Sequence, residues 1–458
     1  MRETIHIYHT NDLHSHLENW PTIHQFLSEF HTKHHPNDAY LLLDIGDHMD
    51  RSNIFTEGSL GKGNVQLLND AGYDYVTIGN NEGITLSHDD LDTLYKDAKF
   101  EVIVSNFTTL EGEIPSWVLP YKIHTISSGI KIGIVAATAD FGLYYEKLGW
   151  HIQKPIERLK EVCQDIREQV DFIICMSHLG MSQDEIMTEQ IPEIDLILGS
   201  HTHHFFENGK MLGNTLQAAA GKYGMYIGHV TMEYDHEAKR IISKQAVLYA
   251  TESLPKPKDA QLQIKAWEEI GREELAFPVF QNATYLKKEW FGESELSTFF
   301  GKALLSFTKA DCALFPAGIF LTDLHKGVIT AGDLHRCLPH PINPCVITLT
   351  GAELLEIVEE SKNEKWPYLE VKGLGFRGNY LGAMLFEHLK ESEEGILYVK
   401  DEELQIEKVY TLATLDMFTF GYFFPSLKFA TKEYFMPELI RDVVKWYGTQ
   451  LDSHLSQT

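Results

Sequence analysis

Apolar runs of strand length recur through the first half of the chain, and most stop at a carboxylate, an amide or an imidazole. Ile5-His6-Ile7-Tyr8 leads into Thr10-Asn11-Asp12-Leu13-His14, and the run from Ala39 to Ile45 leads into Gly46-Asp47-His48. The run from Tyr73 to Ile78 ends at Gly79-Asn80-Asn81-Glu82, and that from Phe172 to Met176 ends at Ser177-His178-Leu179-Gly180. Ile194 to Leu198 ends at Gly199-Ser200-His201-Thr202-His203-His204. Two further runs, Val102-Ile103-Val104 and Lys131 to Val135, carry no such ends. Helix-like stretches separate several of these strands, which predicts an α/β domain whose site is built by loops at the carboxyl ends of strands. Glycines at 46, 79 and 199 let the backbone turn sharply just before the polar residues.

The pattern changes near residues 250–285. Leu254-Pro255-Lys256-Pro257-Lys258 breaks the chain, and Asp259 to Ala276 is charged with apolar residues at Leu262, Trp267, Ile270 and Leu275, as in a linking helix. This divides the chain into a domain at 1–255, a linker helix at 256–285 and a second domain at 286–458. In the second domain Thr350-Gly351-Ala352-Glu353 is a capping box opening a helix with Leu354, Leu355, Ile357 and Val358 on its apolar face. Glycines at 373, 375, 378 and 382 punctuate a loop-rich stretch, and the segment from Met417 to Phe424 is dense in aromatics.

Length supports the division, since 458 residues exceed one ordinary core. The formal net charge of −27 argues against a nucleic-acid polymer as partner, whose phosphates demand a basic surface, but not against a small phosphorylated substrate held by cations. No apolar window is long enough for a membrane helix, and Met1-Arg2-Glu3-Thr4 runs straight into a strand without a signal region. The five cysteines (Cys163, Cys175, Cys312, Cys337 and Cys345) are scattered, with no Cys-x-x-Cys pair. They read as reduced thiols, which together with the missing signal predicts a cytoplasmic protein without a membrane partner.

Asp12, His14, Asp47, Asn80, His178, His201 and His203 supply two carboxylates, four imidazoles and one amide oxygen. That set suits two divalent ions, manganese, zinc or iron, with Asp47 as the carboxylate that neutralises both. Two such ions about 3.5–4 Å apart lower the pKa of a bridging water and clamp the oxygens of an in-line displacement, chemistry suited to a phosphoester.

The ordered motifs Asp-x-His, Gly-Asp, Gly-Asn-x-Glu, Ser-His-x-Gly and Gly-Ser-His-Thr-His resemble those of the calcineurin-like metallophosphoesterases, and within them the 5′-nucleotidase branch. Ala310 to Leu314, Gly327 to Leu334, Leu338 to Asn343 and Leu349 to Leu354 resemble the C-terminal nucleotidase domain, so nearly the whole chain is covered. The resemblance implies two packed sheets flanked by helices in the N-terminal domain and an α+β substrate-binding domain after it. It assigns Asp12, His14, Asp47 and His203 to one metal and Asp47, Asn80, His178 and His201 to the other. It also implies hydrolysis of phosphate esters or pyrophosphate bonds of nucleotides or nucleotide-like molecules by a metal-bridged hydroxide.

The chain departs from that family at the site. Gly-Asn-His-Glu-Phe-Asp in the family, whose His stabilises the reacting phosphate and is oriented by the final Asp, reads Gly79-Asn80-Asn81-Glu82-Gly83-Ile84 here. Asn81 can donate a hydrogen bond to a phosphoryl oxygen but not a proton, and His48 is the candidate for the missing imidazole. The Asn-x-Gly-x-x-Arg motif is Pro316-Ala317-Gly318-Ile319-Phe320, which leaves Arg336 and Arg377 as candidate phosphate partners. The Pro-Phe pair is Pro339-His340, so a base sandwiched between His340 and Phe424, with Asn343 beside them, is the expected substrate site. His16, His204, His229 and His325 are candidates for supporting the site or for structural roles, and His31, His34 and His35 read as solvated surface. Cys175, on the strand leading to His178, reads as core. Two other functions stay open: a metal-bound nucleotide sensor with little turnover, and a nuclease using the same centre.

Overall fold

The computed structural model describes residues 2–33 and 38–455. His34, His35 and the side chain of His31 lie outside the described residues. The chain divides into two compact units, Met1–Gly271 and Arg272–Thr458.

In the first unit the strands that matter are, in chain order, β1 (Arg2–Thr10), β2 (Ala39–Asp44), β3 (Tyr75–Val76), β4 (Glu101–Ile103), β5 (Val118–Leu119) and β6 (Lys122–Thr125). They continue with β7 (Lys131–Thr138), β8 (Phe172–His178), β9 (Leu196–Gly199), β10 (Lys210–Leu212), β11 (Thr215–Ala218), β12 (Tyr226–Asp235) and β13 (Arg240–Ala250). One sheet runs β13-β12-β1-β2-β3-β4-β5 and the other β10-β11-β9-β8-β7-β6. β1 through β5 pair in parallel, as do β7, β8, β9 and β11, while β12, β13, β10 and β6 pair antiparallel.

The apolar runs are continuous because the central strands are covered on both faces. Ile5, Ile7, Leu41, Leu43, Ile134, Ile174, Met176, Leu196 and Leu198 form the core shared by the strands of both sheets. The alternate residues of the second sheet, Val135, Ile173, Cys175 and Ile197, pack with Leu159, Val162, Ile166 and Met187 of the helices Pro155–Ile166 and Met181–Gln190. All five cysteines are buried free thiols. The run from Tyr73 to Ile78 is shorter as a strand than its composition suggests. Only Tyr75–Val76 pairs with a neighbour, although Asp74 and Thr77 still donate their amides to Leu42 and Asp44.

Helix Ala260–Glu274 occupies the stretch read as a linker. Its buried contact is Gly271, where a methyl would overlap the Ile54 carbonyl, while Leu262 is 71% exposed. Its apolar positions therefore do not all face a core.

The second unit is built on a five-stranded sheet of β14 (Cys312–Pro316), β15 (Pro344–Thr350), β16 (Met384–Glu387), β17 (Val409–Leu415) and β18 (Thr431–Tyr434), in the order β16-β14-β17-β15-β18. Helices Glu295–Thr308, Gly351–Ser361 and Ile440–Leu455 belong to it. Thr350 caps the second of these as its capping box predicts, accepting from the Glu353 amide.

Candidate metal centre

Every candidate ligand of the first unit lies at or just past a strand end, and at five of them the backbone is bent into an uncommon conformation. Asp12, His14, Asp47, His201 and His203 all have positive φ, between 47° and 71°. Side-chain-bearing residues avoid this region unless surrounding contacts impose it, and such strain gathers at functional sites. Here the contacts are explicit: Asp12 donates its amide to Gly46 and His14 to Asp47 (3.0 and 2.8 Å), so the two loops after β1 and β2 are bonded together. The glycines serve close approach. Side chains at Gly46 and Gly79 would overlap, respectively, the Gly79 backbone and the Asp47 carboxylate.

These bends gather two groups. Ligand atoms of Asp12, His14 and His203 lie within 4.8 Å of one another, and so do those of Asp47, His178 and His201. Asp47 joins them, its Oδ2 standing 3.6 Å from His14 Nε2 and 3.4 Å from His178 Nε2. Asn80 follows Gly79 at the start of a short helix, with its Oδ1 buried and without a hydrogen bond.

A ring of polar contacts aims these groups. Asp12 accepts from Ser200 Oγ (2.7 Å), Asn11 Nδ2 (2.8 Å) and the His201 amide. Asp47 Oδ1 accepts from the Asn81 amide at 2.7 Å, and Glu82 takes the amides of Asp47, Met49 and Gly79 at 2.9, 3.1 and 2.8 Å. His178 Nδ1 donates to the Ile45 carbonyl at 2.7 Å, which turns Nε2 toward Asp47. His14 Nδ1 faces Asn81 Nδ2 at 2.8 Å and Asp50 Oδ2 at 3.7 Å.

Electrostatics follow from burial and from the carboxylates. Burial opposes charge on His178, but Asp47 outweighs it and pushes the imidazole up to about 10, while Asp47 itself is held below the usual carboxylate range. His14 is likewise raised: burial opposes its charge, and Asp50, Asp47 and Asp12 overcome that. His201 and His203 are held down to about 4, chiefly by burial, with neighbouring cationic groups adding to it.

A divalent ion fits this donor set. The His178 Nε2 and Asn80 Oδ1 atoms are buried and have no hydrogen-bond partner, a costly arrangement that a cation would relieve. Imidazole, carboxylate and amide oxygen are borderline-to-hard ligands suited to first-row divalent ions.

Of the remaining expected residues, Asn81 stays against the centre. Asn81 is buried, and its amide donates to the Met49 carbonyl at 2.9 Å as well as facing His14. His48 is 3% exposed, edge-on to Trp20 at 4.9 Å, with Nδ1 3.3 Å from Asn64 Nδ2, and burial depresses it to about 3. His16 pairs with Glu18, and His204 Nδ1 lies 2.9 Å from the Thr202 hydroxyl. His229 sits on β12 against Tyr8 and His6, and His325 contacts the Val328 carbonyl.

In the second unit the expected base sandwich is not assembled. His340 is fully buried, stacked on Phe376, with Nε2 donating to Ile319 and Nδ1 accepting from the Arg377 amide. Phe424 is fully buried against Trp366 and Phe418, and Asn343 donates to the Glu438 carbonyl. A ring with no exposed surface has no face left for a base. Arg336 pairs with Asp333 on its own helix, and Arg377 donates to the Phe376 carbonyl.

Sequence reasoning missed Ser200, Asp50, Lys222 and Tyr223. Ser200 stood inside the Gly-Ser-His motif and was open to discovery; the others are set by loops that meet only in the fold. The Tyr223 ring lies 5.9 Å from that of His14 and 3.8 Å from that of His16.

A two-sheet α/β sandwich that gathers two metal-ligand groups around one shared carboxylate defines a metallophosphoesterase. Comparison agrees. A calcineurin-like phosphoesterase model matches residues 5–205, and a 5′-nucleotidase C-terminal domain model matches residues 272–422. The chain is 40% identical to the uncharacterized metallophosphoesterase YunD of Bacillus subtilis, over 97% of this chain and 99% of that protein. It is 23% identical to bovine 5′-nucleotidase over 57% of its own length, spanning about half (52%) of that protein. The structure of Haemophilus influenzae NAD nucleotidase shares the fold, with a TM-score of 0.69 at 15% identity, covering 98% of this chain and 97% of that one. The chain belongs to the calcineurin-like metallophosphoesterase family, in its 5′-nucleotidase-like two-domain form, and is a phosphoric ester hydrolase.

Proposed function

We propose that this protein hydrolyses phosphate esters or pyrophosphate bonds of nucleotides or nucleotide-like small molecules, using two divalent ions (manganese, zinc or iron). Asp12, His14, Asp47 and His203 would hold one ion, and Asp47, Asn80, His178 and His201 the other. The observation that carries this reading is the position of Asp47 Oδ2, within 3.6 Å of His14 Nε2 and 3.4 Å of His178 Nε2, between the two groups. The ions, when bound, would lower the pKa of water and neutralise phosphoryl oxygens.

The chain's own residues keep that centre in shape. Glu82 pins the turn carrying Asp47, and Ser200 and the His201 amide orient Asp12. The Ile45 carbonyl fixes the His178 ring, a supporting contact of the kind that sets tautomer and ligand basicity. Asn81 and Asp50 flank His14 on the side away from Asp47. The second unit is proposed as the substrate-binding domain, with boundaries at 1–255, 256–285 and 286–458, although His340, Asn343 and Phe424 as placed support its packing instead. No helix among the described residues is long and apolar enough to cross a membrane, and five buried free thiols suit the cytoplasm.

Chelator-treated protein, before and after manganese is restored, tests the reading. Phosphate release from nucleotides, pyrophosphates or an aryl phosphate is expected only after restoration. Bound metal without release from any of them would return the assignment to a nucleotide sensor, which the complete donor set does not favour.

A further inference from the structure

The side of the centre beside Asn81 is built without a group that can protonate a departing oxygen. The Asn81 amide has no acidic proton to give, is 7% exposed, and is committed to His14 and Met49. Asn80 Nδ2 donates to its Oδ1 at 3.3 Å, so both ends of the amide are engaged. Gly83 offers no side chain, and the space where one would stand is filled by the hydroxyl of Tyr145, itself fully buried. His48 is packed on Trp20 and Asn64. This is a filled and bonded arrangement, so the missing acid is part of the architecture.

The loop of Lys222 and Tyr223, whose ring also lies beside His14, carries a cation. Tyr223 has φ of +59°, donates its amide to the Asp12 carbonyl at 2.7 Å, and accepts from Asn19 Nδ2 at 2.8 Å, which ties it to the ligand loop. Its ring lies 6.2 Å from that of His203. Lys222 Nζ stands 4.4 Å from the centre of that ring, and no carboxylate pairs with it among the described residues. In a chain of net charge −27, an ammonium without a carboxylate partner among the described residues, seated on a ring that itself lies beside His14 and His203, is placed to meet an anion.

We propose that Lys222, seated on Tyr223, binds a second phosphate of the substrate, so that the site acts on pyrophosphate bonds in preference to simple monoesters. This rests on the hydrolase reading above. A phosphate leaving group is far more acidic than a ribose hydroxyl and departs without a proton donor. Water oxygen bonds to the attacked phosphorus, and the bridging P–O bond breaks with its electron pair on the departing phosphate. The water's protons pass to the phosphate products or to solvent. Lys222 meets the charge that grows on the departing group, as a charge-assisted contact.

The test compares full-length manganese-loaded protein on a dinucleoside pyrophosphate, a nucleoside monophosphate and para-nitrophenyl phosphate. Wild type is expected to show kcat/KM for the pyrophosphate about tenfold or more above that for the monophosphate. Lys222→Met is expected to lower the ratio of pyrophosphate to aryl phosphate turnover about tenfold, the size of one lost charged contact, with Lys222→Arg restoring most of it. Equal or faster monophosphate cleavage by wild type, or an unchanged ratio in Lys222→Met, overturns the proposal. Failure to cleave any of the three with metal bound overturns instead the hydrolase reading beneath it.

Discussion

Replacing Glu82 by alanine should damage the centre without touching a proposed ligand. The Glu82 carboxylate is 4% exposed and accepts three backbone amides, from Asp47, Met49 and Gly79, at 2.9, 3.1 and 2.8 Å. Alanine leaves all three donors buried, and each unsatisfied donor costs about 1–3 kcal/mol, so the gross loss is about 3–9 kcal/mol. Removing a carboxyl whose pKa is raised by burial and by Asp47 returns part of that, which leaves a net loss of about 3–5 kcal/mol. Against a typical unfolding free energy of about 5–15 kcal/mol this is large. Urea unfolding in the presence of chelator, so that metal affinity does not enter, measures it directly. Glu82→Gln keeps one acceptor and should lose less. A loss below about 1 kcal/mol for Glu82→Ala would refute the claim that this side chain holds the Asp47 turn.

Two other substitutions probe the packing. Gly83→Ala would place a methyl on the hydroxyl and ring edge of Tyr145 and should lower stability by about 1–3 kcal/mol, of which Tyr145→Phe in the same chain should recover only part, because Cζ and Cε1 stand 2.6 and 2.7 Å from the added carbon; an unchanged melting temperature for Gly83→Ala would contradict the close contact. Asp416 is buried in the second unit, and burial pushes its carboxyl up from 3.8 to about 7. Because the folded pKa lies above the unfolded one, its contribution to stability is full below about pH 4 and falls as pH rises through that window to about 7, by about 4 kcal/mol at most. Asp416→Asn should remove this slope, so stability curves of wild type and variant that run parallel between pH 4 and 7 would contradict the assignment.

The candidate centre could be read in the sequence because its residues follow strands covered on both faces. Such strands announce themselves as unbroken apolar runs, and the polar residues that end them are conspicuous. Asp12 and His14 gain meaning only from the later ends at Asp47, Asn80, His178 and His201. The positive φ at five of these positions leaves no mark in composition, since Asp and His tolerate that region without requiring it. Asp50, Tyr223 and Lys222 escaped notice because their relation to His14 and His203 depends on two loops crossing. The second unit was harder to read. His340 and Phe424 look alike whether a ring faces a ligand or a core, and only burial distinguishes them: both are fully buried.

The central claim is that Asp47 joins two metal ions. Anomalous diffraction from crystals of the full chain grown with manganese tests it most directly. Two peaks are expected about 3.5–4 Å apart with one Asp47 carboxylate oxygen bonded to both, one ion also on Asp12, His14 and His203 and the other on Asn80, His178 and His201. A single peak, or two that do not share Asp47, would contradict it.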